Sequence, residues 1–359
     1  MQASTSLSFG LATLVAVLVV VFNIHQMLRL ESASSVMRPY AAATTATRGG
    51  TMTTAVESPP SLPKLPPIHF VDIPPRSQGV QKDLVKAGDY IYFRDEEHWD
   101  AAPVVLESHK LVFFTIPKVG CTVWKQLFRR MMGLPDWKSQ DGELWLPHNP
   151  EANGLKYLYD YSLEEASKIM TSPDWTRAIM VRDPKLRFLS AFLDKVMSNF
   201  GDHVRLRCCV DGSCVPAAQT VDGFVDLCKV CEDDHWRSQH DRVNFKYWSY
   251  IDHISHVEQA TEGAKDLLQK IGAWEEFGRT GWGSDGNSSI FEAKGVSGAG
   301  SHATWSQWKV WKWYTPEIEQ KVEHFYREDY MNPLFNFTRT CHTCSTDTPP
   351  CLTCPEASA

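Results

Sequence analysis

Two segments of this chain carry residue types and spacings suited to holding anions. The first, Phe113–Arg130, reads FFTIPKVGCTVWKQLFRR. An apolar run enters a short turn, and a helical pattern starts directly after it. Backbone N–H groups at a helix N-terminus converge on one spot and bind phosphate-like groups. Gly120 lets the backbone approach an anion closely, Thr122 offers a hydroxyl and Lys118 a point charge. From Lys110 to Arg130 there are five basic residues (Lys110, Lys118, Lys125, Arg129 and Arg130) and no acid, within a chain of net charge −7. The pattern differs from the Walker loop G-x4-G-K-[ST], in which Lys follows the glycines and an aspartate elsewhere serves magnesium. Here Lys118 precedes a single glycine, and no strand-ending aspartate stands out. Taken alone, the turn reads equally well as a surface connection.

The second segment, Met180–Val196, reads MVRDPKLRFLSAFLDKV. It again follows an apolar run. Arg182 lies where that run ends. Ser190 follows eight residues later, just over two helical turns on, near the face that starts beside Arg182. Arg187 is three residues before Ser190 and adjacent to it on a helix surface. An Arg fork and a hydroxyl aimed at one point suit a phosphate monoester. The competing account is an Arg cap on a solvated helix. Two such sites at the ends of two parallel strands imply a ligand with two separated phosphate groups.

These sites need elements to position them. Lys110–Ile116 and Ala178–Val181 read as buried strands, and Tyr250–Val257 as a third. Helices are expected over Val123–Met132, from Asp183-Pro184 to about Phe200, over Glu262–Ile271, and from Thr315-Pro316 to Tyr330. Alternating strands and helices define an α/β fold with a mainly parallel central sheet flanked by helices.

Ahead of this part, Leu7–Ile24 is eighteen residues without a charge, about the length of a membrane-crossing helix. It reads as a signal-anchor transmembrane helix, with a cleaved signal peptide as the alternative. Residues 1–6 would then be a short cytoplasmic tail. Residues 25–85 form a Ser/Thr/Pro-rich stem, 86–340 the catalytic domain and 341–359 a Cys-rich tail. Arg29 and Arg38 follow the apolar run and no Lys or Arg precedes it, a weak cue for a cytosolic C-terminus. The sequons Asn287-Ser288-Ser289 and Asn336-Phe337-Thr338 point instead to a lumenal C-terminal part. A pI near 6 argues against a nucleic-acid partner.

The motifs resemble those of Golgi carbohydrate sulfotransferases of the chondroitin/dermatan 4-O and HNK-1 type. PKVGCTVWK (Pro117–Lys125) is similar to their 5′-phosphosulfate loop, and RDPKLRFLSAF (Arg182–Phe192) to their 3′-phosphate motif. Looser similarity runs through HWRSQ (His235–Gln239), Tyr250–Gln259 and Phe325–Tyr330. The resemblance implies a P-loop-like sulfotransferase fold and the co-substrate 3′-phosphoadenylyl sulfate (PAPS), with no metal required. It also implies a glycan or proteoglycan acceptor and type II insertion in the Golgi membrane; a homodimer is compatible with it. Carried over by position, Lys118, Val119, Gly120, Cys121 and Thr122 form the 5′ site. Arg182 and Ser190 form the 3′ site, with Arg187 assisting. Lys118 would stabilise charge on the leaving oxygen. Two other readings compete: a P-loop-type nucleotide kinase, and a catalytically inactive lumenal relative that binds glycans.

An acceptor hydroxyl needs a general base, most often His. His148, in LWLPHNP between the two motifs, is the first candidate, because related 2-O-sulfotransferases place a catalytic His in that interval. His235 is the second. Where vertebrate members carry an LC-x-x-C-like element shortly after the HW motif, this chain has no cysteine there; instead Cys208, Cys209, Cys214, Cys228 and Cys231 lie before it. The tail cysteines Cys341, Cys344, Cys351 and Cys354 have zinc-like spacing, but disulfides are expected in an oxidising lumen. Trp305, Trp308, Trp311 and Trp313 could stack on sugars, but spacings of three, three and two fit core packing at least as well, and core packing is the expectation.

Overall fold

A computed structural model describes residues 69–94, 101–198, 202–209, 212–292 and 304–342. The apolar run Leu7–Ile24, most of the 25–85 stem and the tail beyond His342 lie outside the described residues. The chain divides into two units, Met1–Pro59 and Pro60–Ala359, and the described residues belong to the second. Among them, no helix is long and apolar enough to cross a membrane.

Four strands form one sheet in the order β1-β2-β3-β4: Val104–Leu106, Leu111–Phe114, Thr176–Val181 and His253–His256. β1 pairs antiparallel with β2, placing Val104 opposite Phe113. β2–β3 and β3–β4 are parallel, with Phe113 opposite Ala178 and Ile179 opposite Ile254. Every residue of β2 is buried, as is β3 from Arg177 to Val181. Interior parallel strands need such unbroken apolar runs.

The connections carry helices. α1 (Cys121–Met131) and α2 (Leu163–Thr171) lie between β2 and β3. α2 starts on a capping box, with Ser162 accepting from Glu165 N and the Glu165 carboxylate accepting from Ser162 N. α3 (Pro184–Lys195) follows β3, with Pro184 in its first turn. α4 (Asp202–Cys208) and α5 (Val221–Cys228) come next; α6 (Ala260–Lys270) follows β4, and α7 (Pro316–Phe325) and α8 (Arg327–Met331) come last.

Apolar side chains collect in two clusters. One joins the sheet to α1 and α6 through Phe113, Trp124, Phe128, Met180 and Leu267. The other joins α3 to α5 and α7 through Phe188, Phe192, Phe224, Val322 and Tyr326. Disulfides Cys208–Cys231 and Cys209–Cys214 tie the segment around α4 and α5, and Cys228 keeps a buried thiol.

Several expectations change. The helix expected to reach Phe200 ends at Lys195, where Val196 N donates back to Phe192 O. The helix expected through Tyr330 breaks at Tyr326, whose hydroxyl donates to Trp236 O. The tryptophan cluster does not enter the core. Trp305, Trp308 and Trp311 are 54%, 71% and 76% exposed. They border two single turns, Ser306–Trp308 and Val310–Trp313, of which Ser306 and Val310 are the buried residues. Trp313 alone of the four packs inside, edge-on to Phe192.

Candidate anion site and its neighbours

The turn after β2 is built to bring backbone and ammonium to one place. Ile116 O accepts from Val119 N, and Gly120 O accepts from Val123 N and Trp124 N as α1 begins. Gly120 caps α1 in the left-handed region (φ +71°), where a side chain is strained; a Cβ there would also stand 3.1 Å from the Phe291 ring. Lys118 adopts φ +69° without glycine's freedom, a local cost of order 1 kcal/mol. The turn sends its side chain inward, only 7% exposed, to place Nζ 3.2 Å from Asp194 Oδ2 on α3. Burial pushes the Lys118 ammonium below its ordinary pKa, and Asp194 pulls it back. Lys195 Nζ lies 3.3 Å from the same carboxylate oxygen. Two ammonium groups thus meet one carboxylate oxygen beside the loop. Thr122 Oγ1, in the first turn of α1, lies 2.9 Å from His148 Nε2.

The turn after β3 faces this loop. Asp183 caps α3 by accepting from Leu186 N. Gln239 clamps Arg182 by its backbone, accepting from its N–H at 2.9 Å and donating to its carbonyl at 2.8 Å. The Arg182 guanidinium then donates to Lys118 O at 3.0 Å and to Ser306 Oγ at 2.7 Å. Its Nε is buried with no hydrogen-bond partner, the kind of orphaned donor that an arriving phosphate oxygen satisfies. Ser190 Oγ, also buried, accepts from Thr304 Oγ1 at 2.9 Å. The fully buried Arg187 instead donates to the carbonyls of Pro117, Arg237 and Asp234. Its visible work is to tie α3 to the turn after β2.

Sequence reasoning misses Asp194, Gln239, Thr304 and Ser306. Asp194 and Gln239 lie inside segments with recognisable motifs, yet nothing in their spacing marks their partners. Thr304 and Ser306 sit far down the chain in an irregular stretch and meet Ser190 and Arg182 only through the fold.

His235 occupies a neighbouring cluster. Its Nδ1 lies 2.6 Å from Asp233 Oδ1, and His203 Nε2 lies 2.9 Å from Asp233 Oδ2. Burial pushes the His235 imidazole down to about 4, against the pull of Asp233. The candidate ligand atoms of these three residues all lie within 4.8 Å of one another, a spacing a metal ion could use. However, Arg207 Nε stands 3.8 Å from Asp233 Oδ2, and the charge of Lys195 also bears on His235. Two cations beside the cluster favour a hydrogen-bonded carboxylate–imidazole set over a cation site.

A strand–turn–helix junction ends each of two adjacent parallel strands, and the Arg182 guanidinium of the second donates to the Lys118 carbonyl of the first, which gives this α/β protein one candidate anion site. The chain belongs to the sulfotransferase family: the profile described as "Sulfotransferase family" matches residues 103–338. Carbohydrate sulfotransferase 9 of Homo sapiens is 25% identical over 191 residues, 48% of this chain and 41% of the relative. Carbohydrate sulfotransferase 10 of Gallus gallus is 35% identical over 95 residues, 26% of each chain. Carbohydrate sulfotransferase 11 of Rattus norvegicus is 34% identical over 100 residues, 27% of each. These matches span less than half the length of the curated relatives. No solved structure matches the chain significantly.

Proposed function

We propose that this chain is a carbohydrate O-sulfotransferase that moves a sulfuryl group from PAPS to a sugar hydroxyl of a glycan or proteoglycan. The observation that carries the proposal is the stitched pair of anion sites. Arg182 joins them by donating to the Lys118 carbonyl, so two phosphates could be read at a fixed separation. The orphaned Arg182 Nε and the buried Ser190 hydroxyl suit the 3′-phosphate. The Gly120 turn and the first N–H groups of α1 suit the 5′-phosphosulfate. A ligand without a 3′-phosphate, such as ATP, would leave the first of these pairs unused.

PAPS supplies an activated sulfuryl group whose S–O bond to phosphate breaks as the acceptor oxygen bonds to sulfur. The protein's part is alignment and charge stabilisation. Lys118 donates to the oxygen on which negative charge develops. His148 takes the acceptor hydroxyl's proton; its hydrogen bond with Thr122 supports this role. His235 is held neutral by burial but is too weak a base for efficient proton abstraction near neutrality, since catalytic pKa values work best near the operating pH.

The disulfides support residence in an oxidising compartment. With the apolar run Leu7–Ile24, they favour a type II Golgi membrane protein with residues 86–340 as its lumenal catalytic domain. The test is to incubate the full chain with PAPS labelled in its sulfate and a panel of glycans, without ATP or magnesium. Label transferred to a glycan is the expected result. Binding of ATP with no binding of PAPS would overturn the proposal.

A further inference from the structure

We propose that Trp305, Trp308 and Trp311, with Lys309 and Lys312 between them, form a landing surface for an acidic glycan chain beside the anion site. Three exposed indoles fall within seven residues, and Trp311 Nε1 donates to Trp308 O, which keeps two of them together. Groups of exposed apolar side chains on a protein surface mark binding sites. Indole rings offer rigid flat faces to the C–H faces of sugars at little entropic cost. The segment from Thr304 to Tyr314 contains two lysines and no acid, and both lysines are exposed. This charge is complementary to uronate carboxylates, not to a neutral sugar.

Position selects the glycan over other occupants. The residues flanking Trp305 reach directly into the proposed co-substrate site: Thr304 donates to Ser190, and Ser306 accepts from Arg182. A chain stacked on the indoles therefore runs past the groups that would hold the sulfuryl donor. The role of this surface in delivering an acceptor rests on the sulfotransfer reading; its binding of acidic glycan does not.

The experiment measures binding and turnover separately, using unsulfated chondroitin as the polyuronate probe. Three further probes are a neutral N-acetyllactosamine glycan, vesicles of phosphatidylserine and phosphatidylcholine, and adenosine 3′,5′-bisphosphate. The full chain is compared with Trp308→Ala/Trp311→Ala and with Lys309→Gln/Lys312→Gln. We expect the tryptophan pair to weaken chondroitin binding at least tenfold and the lysine pair to flatten its salt dependence. Binding of the bisphosphate should stay within twofold, which also reports that the variants are folded. Unchanged chondroitin binding in the tryptophan variant would overturn the proposal, as would equal binding of the neutral glycan by the wild-type chain. Loss of vesicle binding with chondroitin binding intact would assign the surface to lipid and overturn it as well. A chain that binds chondroitin through these residues but fails to bind the bisphosphate would sink the sulfotransfer reading and leave this surface standing.

Discussion

Lys118 and Lys195 share one oxygen of Asp194, so replacing Lys118 does not strand that buried carboxylate. Lys118→Met is therefore expected to damage turnover more than folding. Removing one donor aimed at developing charge typically costs about 10²–10³-fold in kcat. That loss should appear with a melting temperature close to wild type, read by calorimetry beside a sulfate-transfer assay. His148→Ala should lose turnover while still binding adenosine 3′,5′-bisphosphate; near-normal turnover would remove His148 from the reaction. His235 gives a different signal. Its imidazole titrates near 4 in the folded protein against an ordinary 6.5, so between those values the unfolded chain binds the extra proton. Stability should thus fall as pH drops from about 6.5 towards 4, by no more than about 3 kcal/mol. Urea melts across that range should show the slope in the wild type and a shallower one in His235→Gln.

Elements carry the two turns, and the tightest constraint falls where β2 hands over to α1. Gly120→Ala places a Cβ in the left-handed region and 3.1 Å from Phe291. The strain is of order 1 kcal/mol, with the ring contact adding to it. The expected outcome is a modest drop in melting temperature with a larger loss of bisphosphate affinity, because the turn would relax away from the anion; calorimetric titration measures both. This junction is legible in sequence because an all-apolar LVFF, a turn with Pro and Gly, and a helical period follow one another without interruption. The same holds for the β3–α3 junction, where Asp183-Pro184 is a strong start signal. Shorter or weaker signals are lost. β1 is three residues, VVL, too few to show a period, and pairs only because β2 offers an edge. α2 shows its Ser162–Glu165 capping box in the sequence, but its nine residues are too few to establish a helical period. The tryptophan spacings of three look helical, yet the chain there makes two separate turns. The Thr304–Ser190 and Ser306–Arg182 contacts span more than a hundred residues, and no local pattern encodes them.

At the scale of the whole molecule, the cysteines decide how firmly α3 is backed. Five lie between Cys208 and Cys231; two disulfides use four of them and leave Cys228 as a buried thiol. Burial pushes that thiol's pKa up, which keeps it protonated and unreactive. The Cys208–Cys231 bridge closes a loop with a sequence separation of 23 residues, which in the chain-entropy picture contributes about 3 kcal/mol. Inside that loop α5 presents Phe224 to Phe188 and Phe192 of α3, and Trp236 Nε1 donates to Cys231 O just beyond the bridge. α3 in turn carries Ser190 and Asp194, the residues that meet Thr304 and Lys118. Opening the bridge should therefore reach the anion site through α3 as well as lower global stability. Cys208→Ser/Cys231→Ser is expected to melt several degrees lower and to bind adenosine 3′,5′-bisphosphate more weakly. Adding dithiothreitol should move the wild type in the same direction and leave the variant much less affected. A variant with an unchanged melting temperature would show that the apolar contacts between α5 and α3 hold this side of the fold without the bridge.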